Sequence, residues 1–176
     1  MQLLICPGWH RPELTQRFVQ ALLTVAAPEK LWQLPPYPSL EGLSWLLHQA
    51  NAPRQQQPLT VIGFSAGVVA AYPLLLGWHQ RGGDGSLIAV DGWGMPLVGL
   101  PSVYRLSHDL WTHRTSYFPS PAEGQGDFYA QPPVSHLDFW ASPQQATGQG
   151  RLGCDAPRPM TALEFIAQVL SQEQCR

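Results

Sequence analysis

The stretch LTVIGFSAG at residues 59–67 places a serine in a setting that suits nucleophilic chemistry. Gly63, Ser65 and Gly67 match G-x-S-x-G, a pattern in which a sharp strand-to-helix turn exposes the serine side chain. The apolar residues before the motif predict a strand, and residues 68–72 predict the start of a helix. Chance alone would produce such a match in roughly one sequence in ten. The motif therefore needs partners elsewhere in the chain.

A serine hydroxyl needs a base that takes its proton and a carboxylate that holds this base in the correct tautomer. His136 is the predicted base, because it follows the last predicted strand and precedes the C-terminal helix. A loop histidine is more often structural, but this position favours catalysis. Asp109 is the preferred acid, since it follows another predicted strand and leaves room for a helix before His136. Asp91, at the end of the preceding strand, is the alternative, and either aspartate could instead brace a loop.

These side chains need a framework that brings them to one place. Apolar runs predict strands at residues 1–6, 31–34, 59–62, 86–90, 103–106 and 128–130. Helical spacing predicts helices at 12–25, at 39–49, over about 14 residues after Ser65, and from a capping box at Thr161. Proline and glycine predict loops at 92–101, 119–133 and 143–159. The connection from Asp91 to residue 103 is shorter than a helical crossover usually needs, which argues against a regular strand at 103–106.

The alternation of strands with helices predicts an α/β fold. Continuous apolar strands favour a mostly parallel sheet of about six strands with helices on both faces, a three-layer sandwich. A single domain is predicted over residues 1–176. Ligands of such sheets bind beyond the carboxyl ends of the strands, so Ser65, His136 and both candidate acids are expected at one edge.

The order serine, acid, histidine, each after a separate strand, resembles the α/β-hydrolase superfamily, as a small member without a cap domain. The serine motif, ICPGW near the start and PPVSHLDFW around His136 carry the resemblance. It implies that the backbone amides of Ala66 and Trp9 bind the oxyanion. Small members have a His-Gly-type pair at the first of these turns, whereas this chain has Pro7-Gly8. The departure matters little, because the donor is a backbone group.

Aromatic residues near the same turns predict a substrate pocket that includes His10, Phe64, Trp93 and Trp111. A metal cluster of His108, Asp109 and His113 is a competing interpretation. It is disfavoured, because two histidines at this spacing do not share a helical face and no third ligand is evident. We therefore expect no metal and no cofactor.

Composition excludes several functional classes. The chain has 176 residues and a net charge of −2, with Lys30 as its single lysine, so nucleic-acid binding is not expected. No apolar stretch has the length of a membrane span, and the first residues predict a strand rather than a signal peptide. Cys6, Cys154 and Cys175 have no metal-like spacing and are most simply reduced thiols, which predicts a cytoplasmic location.

The favoured hypothesis is a serine hydrolase that cleaves a small-molecule carboxylic ester or thioester. The alternative is a non-catalytic binding protein that keeps the hydrolase fold, since a fold does not fix a function. The proline-rich stretch 119–133 would be a docking segment for a partner in that case. Cofactor-free lyase or peroxidase chemistry with the same triad is also left open, as are the substrate and the oligomeric state.

Overall fold

One mixed sheet organises the chain. The computed structural model describes residues 1–36, 44, 58–92, 94–116 and 125–174. The strands are β1 (Gln2–Cys6), β2 (Lys30–Gln33), β3 (Leu59–Phe64), β4 (Gly85–Val90), β5 (Val103–Ser107), β6 (Gly126–Ala130), β7 (Thr147–Leu152) and β8 (Arg158–Thr161). The helices are α1 (Pro12–Leu22), α2 (Gly67–Gln80), α3 (Leu110–Ser116), α4 (His136–Ala141) and α5 (Ala162–Gln174). The predicted helix at 39–49 lies outside the described residues except for Ser44, which is helical.

The sheet has eight strands in the order β2-β1-β3-β4-β5-β6-β7-β8, so the α/β class is confirmed and the expected number of six strands is too low. Strands β1 to β6 are parallel, whereas β7 and β8 pair antiparallel. The two added strands lie where glycine and proline predicted a loop. A Cβ at Gly148 would overlap the carbonyl oxygen of Tyr129, and one at Gly150 would lie 2.6 Å from Met160 Sδ. These glycines permit close packing of the strand rather than a turn.

The doubted strand at 103–106 is regular and pairs in parallel with β4. No described residue of the connection between the two strands is helical. Leu97 in this connection is 1% exposed and packs on the same side of the sheet as α2, with Met95 and Leu100 against the same cluster. The connecting loop therefore supplies the apolar cover that a crossover helix would otherwise provide.

Helices cover both faces of the sheet. Along each central strand, alternate residues join two separate apolar clusters, as the two-residue period of a strand requires. Helices α1, α4 and α5 contribute to one cluster, and α2 contributes to the other. None of the helices over the described residues is long and apolar enough to cross a membrane.

The C-terminal helix begins at the predicted capping box. The backbone amide of Thr161 donates to Glu164 Oε2 over 2.6 Å, and the amide of Glu164 donates to Thr161 Oγ1 over 3.1 Å. This reciprocal pair satisfies two amides that would otherwise lack an intrahelical acceptor. The predicted start of the helix is confirmed.

Register brings the ends of the parallel strands to one edge. Cys6 pairs with Gly63, Phe64 with Val90, and Val90 with Leu106, so β1, β3, β4 and β5 end level with one another. The residues that follow these strands are consequently neighbours in space, although they are distant in sequence.

We predict that the aromatic packing under this edge is a main source of stability. Trp140 is fully buried and stacks on Phe18 and Phe64, with centroid distances of 3.7 and 4.8 Å. Trp140→Ala should lower the free energy of unfolding in urea by about 3–5 kcal/mol. Trp111→Ala is the matched control, because Trp111 is 65% exposed, and should cost less than about 0.5 kcal/mol. Equal losses would contradict this assignment of the core.

Candidate active site

Ser65 occupies a strained turn between β3 and α2. Its φ of +52° lies in the left-handed region, which is uncommon for a residue with a Cβ. The amide of Ser65 donates to the carbonyl oxygen of Val90 over 2.8 Å, which ties the turn to the end of β4. Strain of this kind persists only where the surroundings enforce it, and it is found preferentially at functional sites.

The motif glycines are required by space. A Cβ on Gly67 would overlap the carbonyl oxygen of Cys6 at the end of β1. A Cβ on Gly63 would lie 3.0 Å from both the Ala71 Cβ and the Val68 Cα of α2. The glycines thus let the first turn of α2 pack directly on the sheet, and this packing fixes the position of the intervening serine.

The two predicted oxyanion donors lie on either side of this turn. Among the described residues, nothing accepts a hydrogen bond from the Ala66 amide, which lies at the start of α2. The turn after β1 packs against the serine, since a Cβ on Gly8 would lie 3.1 Å from the Ser65 Cβ. Trp9 follows in this turn, with its side chain 75% exposed. Their role as donors stays a prediction.

Asp91 is the carboxylate that contacts His136. It follows β4 with a φ of +50° and is only 6% exposed. Its Oδ2 lies 2.7 Å from His136 Nδ1 and 3.0 Å from His108 Nδ1, and its Oδ1 accepts the His108 amide over 2.9 Å. A buried carboxylate held by several donors is a well-defined anchor for a histidine ring.

Asp109, the preferred acid from the sequence, is engaged elsewhere. Its Oδ1 accepts the amide of Thr112 over 2.6 Å at the start of α3, and its Oδ2 lies 3.4 Å from His108 Nε2. The geometry therefore favours the alternative acid. The reason is local. His108, directly after β5, has its Nδ1 3.0 Å from Asp91 Oδ2, whereas Asp109 caps the N-terminus of α3.

His136 begins α4 and is held on several sides. Its Nδ1 faces Asp91, which leaves Nε2 available for another group, as a triad requires. The ring stacks on Phe64 with a centroid distance of 4.6 Å. The amide of Val134 donates to the carbonyl oxygen of His108 over 3.1 Å, which anchors the preceding loop. His136 does not follow the last strand, as the sequence suggested, because β7 and β8 come after it.

Hydrogen bonds and nearby charges shift the pKa values of Asp91 and His108. Burial raises the pKa of the Asp91 carboxyl, but hydrogen bonds from His108 and His136 outweigh it and bring the pKa below the usual 3.8. The hydrogen bond to Asp91 raises the pKa of His108 above 6.5, burial opposes this, and the charges of Asp91 and Asp109 reinforce it. Asp91 is therefore ionised at neutral pH and accepts hydrogen bonds only.

Ser65 and His136 line one cavity of about 410 Å³, together with Asp91, His108 and Trp111. Ala66, Val69, Met95 and Thr112 complete most of its wall. The Ser65 hydroxyl and His136 are not hydrogen-bonded to each other. Catalytic hydrogen bonds are often long or absent before substrate binds, so this arrangement is compatible with a triad at rest.

Of the predicted pocket residues that the structure describes, one lines this cavity and two do not. Trp111 lines the cavity. Phe64 does not, because it is 1% exposed and lies beneath the His136 ring. His10 does not line it either, and its Nδ1 lies 2.9 Å from the carbonyl oxygen of Arg11. Trp93 lies outside the described residues.

The sequence prediction missed His108 as a site residue. The sequence places His108 after a predicted strand and in a disfavoured metal cluster with Asp109 and His113, but His113 lies apart, with its Nε2 3.9 Å from Asp127 Oδ1. The available signal was the position of His108 directly after β5, which is the same rule that selected Ser65.

We predict that His108 titrates above its ordinary pKa of 6.5. Asp109→Asn should lower this pKa, since it removes one of the two carboxylates beside the ring. The raised value means that the stabilisation from protonated His108 is fully present below about pH 6.5 and is lost as the pH rises through the folded-state pKa. Nitrogen-15 NMR titration of the histidines in chelator-treated buffer measures the pKa of His108 in the unaltered protein and in Asp109→Asn. A pKa at or below 6.5 would contradict the geometry.

Comparison of the chain with models of protein families, with curated proteins and with solved structures found no match.

Proposed function

We propose that the protein is a serine hydrolase that cleaves a carboxylic ester or thioester through an acyl-enzyme on Ser65. The observation that carries the proposal is the 2.7 Å contact between His136 Nδ1 and the buried Asp91, at a cavity that the strained Ser65 also lines. Nucleophile, base and orienting acid are the minimum set for acyl transfer by a serine.

Asp91 supports the base in two ways. As an ionised acceptor it selects the tautomer with hydrogen on Nδ1, so that the Nε2 lone pair is free to take the Ser65 proton. It also stabilises the imidazolium that forms when that proton arrives. The stacking of the ring on Phe64 restricts rotation of His136 and keeps Nε2 directed away from the core.

The reaction then follows acyl transfer. The Ser65 oxygen attacks the carbonyl carbon as its proton passes to His136 Nε2, and the carbonyl π electrons move to oxygen. Collapse of this oxyanion expels the alcohol or thiol, which leaves with the proton from His136. Water, deprotonated by the same nitrogen, attacks the acyl-enzyme in turn and releases the acid and free Ser65.

The start of α2 is suited to the oxyanion. The Ala66 amide has no acceptor among the described residues, and the positive end of the helix dipole lies at the same place. We assign the second donor to the Trp9 amide, because the turn that carries it packs against Ser65.

The cavity wall suits an uncharged acyl group. None of the described residues that line it is lysine or arginine, so a carboxylate or phosphate has no permanently charged partner among them. Val69, Met95 and Trp111 supply apolar surface, and Val69 and Trp111 are 51% and 65% exposed. An apolar wall with a few convergent polar groups is the usual form of a small-molecule site.

The order of the residues supports an assignment to the α/β-hydrolase superfamily, in a minimal, cap-less form. Ser65, Asp91 and His136 come after the parallel strands β3, β4 and β6, in the order that this superfamily uses. The acid follows the strand next to that of the nucleophile, a position from which some lipases take theirs. The antiparallel pair β7 and β8 departs from the parallel pattern but lies beyond the site residues.

A non-catalytic binding protein is the second candidate. The lack of a hydrogen bond between Ser65 and His136 favours it, because an unactivated serine would be inert. Reactivity of Ser65 separates the two functions directly.

We predict that a fluorophosphonate probe labels Ser65 once per chain, as measured by mass spectrometry of the digested protein. Ser65→Ala should abolish labelling, whereas Ser44→Ala, at an exposed position that does not line the cavity, should leave it unchanged. His136→Ala should slow labelling by about 100- to 10,000-fold, the usual contribution of a general base. Absence of labelling in the unaltered protein, or equal labelling of Ser65→Ala, would favour the binding protein.

A further inference from the structure

Three metal-ligating side chains converge at the cavity. One ligand atom from each of Asp91, His108 and His136 lies within 4.8 Å of the other two, and Asp91 Oδ2 contacts Nδ1 of both histidines. They come from the ends of β4 and β5 and from the start of α4, so their positions are fixed by the sheet and not by one flexible loop. Asp91 and His136 belong to the triad, whereas the ring of His108 supports Asp91 and takes no part in the proton transfer.

His108 lies between two carboxylates. Its Nδ1 is 3.0 Å from Asp91 Oδ2, and its Nε2 is 3.4 Å from Asp109 Oδ2. A neutral imidazole has a single N–H and can donate to only one of them. A ring whose Nδ1 binds a metal ion carries its single N–H at Nε2, on the side of Asp109.

We propose that Asp91, His108 and His136 form a binding site for a divalent transition-metal ion of the zinc type. Two imidazole nitrogens and one carboxylate oxygen match the ligands that zinc prefers, whereas calcium and magnesium prefer oxygen alone. Zinc ligands at about 2.0–2.2 Å from the metal in tetrahedral geometry lie roughly 3.3 Å from each other. The 2.7 and 3.0 Å separations between Asp91 Oδ2 and the two Nδ1 atoms would each widen by a few tenths of an ångström, and the ligand atoms of the two histidines, which lie within 4.8 Å of each other, would adjust to the same distance.

The surroundings of the ligands match those of a metal centre. When Nδ1 of His108 binds the metal, its Nε2–H faces Asp109 Oδ2, 3.4 Å away, as a hydrogen-bond donor. A carboxylate in this position orients most metal-bound histidines. The His108 amide holds Asp91 Oδ1, so that Oδ2 faces both rings. The side chains of His108 and His136 are 23% and 39% exposed, which lets the ion enter from the cavity and keep water as its fourth ligand.

The metal and the triad exclude each other. A metal at His136 Nδ1 uses the lone pair of that nitrogen, so the single N–H hydrogen of the neutral ring moves from Nδ1 to Nε2. This nitrogen becomes a donor and cannot accept the Ser65 proton. Bound zinc is therefore an inhibitor of the hydrolase, a consequence that rests on the proposed function, whereas the binding itself does not.

Calorimetric titration of tag-free, chelator-stripped protein with Zn²⁺ tests the site. We expect one equivalent to bind, with affinity lowered at least about 100-fold by His108→Ala or His136→Ala, and about 10- to 100-fold by Asp109→Asn. His10→Asn, a histidine outside the cluster, should change the affinity less than about twofold. No binding, or an affinity in His108→Ala and His136→Ala equal to that of the unaltered protein, would overturn the proposal.

Two further measurements do not depend on the variants folding. Nitrogen-15 NMR of the unaltered protein should show the largest zinc-induced shifts at Nδ1 of His108 and His136, and shifts confined to other histidines would overturn the site. Fluorophosphonate labelling of Ser65 in chelator should slow by at least about tenfold in saturating zinc. Unchanged labelling would overturn the inhibition, and a lack of labelling in chelator would instead count against the hydrolase.

Discussion

The hydrogen bond between Asp91 and His136 is the contact on which the proposed chemistry depends. The carboxylate is buried, so its charge is tolerated only because three donors from two other segments of the chain surround it. These donors keep the pKa of Asp91 below its usual value in spite of burial. The contact therefore fixes the tautomer of His136 and also joins the end of β4 to the start of α4.

Two turns of the site have a strained backbone. Ser65 and Asp91 are the described residues other than glycine with positive φ, and they follow the neighbouring strands β3 and β4. The amide of Ser65 bonds to the last residue of β4, and the amide of Asp91 bonds to Leu106 in β5. Each strained turn is thus held by the next strand, so the geometry of the site is a property of the parallel sheet.

The sequence predicted this framework well where periodicity and strand ends determine the structure. Ser65, His136 and both candidate acids were expected at one edge of the sheet. The turn at Ser65 has the predicted strand before it and the predicted helix after it. The choice between the acids was beyond the sequence, because both follow strands. It depends on the left-handed turn at Asp91 and on the cap that Asp109 provides to α3.

The other departures have similar causes. Strand β7 was not predicted, because glycines in a sequence usually indicate a turn. Here they permit close packing against Tyr129 and Met160, which only the structure shows. The proposed zinc site has no signal in the sequence, because Asp91, His108 and His136 have no recognisable spacing. Only the sheet brings them together.

The most direct test of the account compares the second-order rate of Ser65 phosphonylation in Asp91→Asn and Asp109→Asn. Asparagine tolerates the positive φ at position 91, and urea denaturation checks that both variants fold. If Asp91 orients the base, Asp91→Asn should slow the reaction by about 1,000- to 10,000-fold, because the amide favours the wrong tautomer of His136. Asp109→Asn should slow it by less than about tenfold, because asparagine still caps α3 and the contact between Asp91 and His136 is kept. The reverse order of these effects would contradict the central claim.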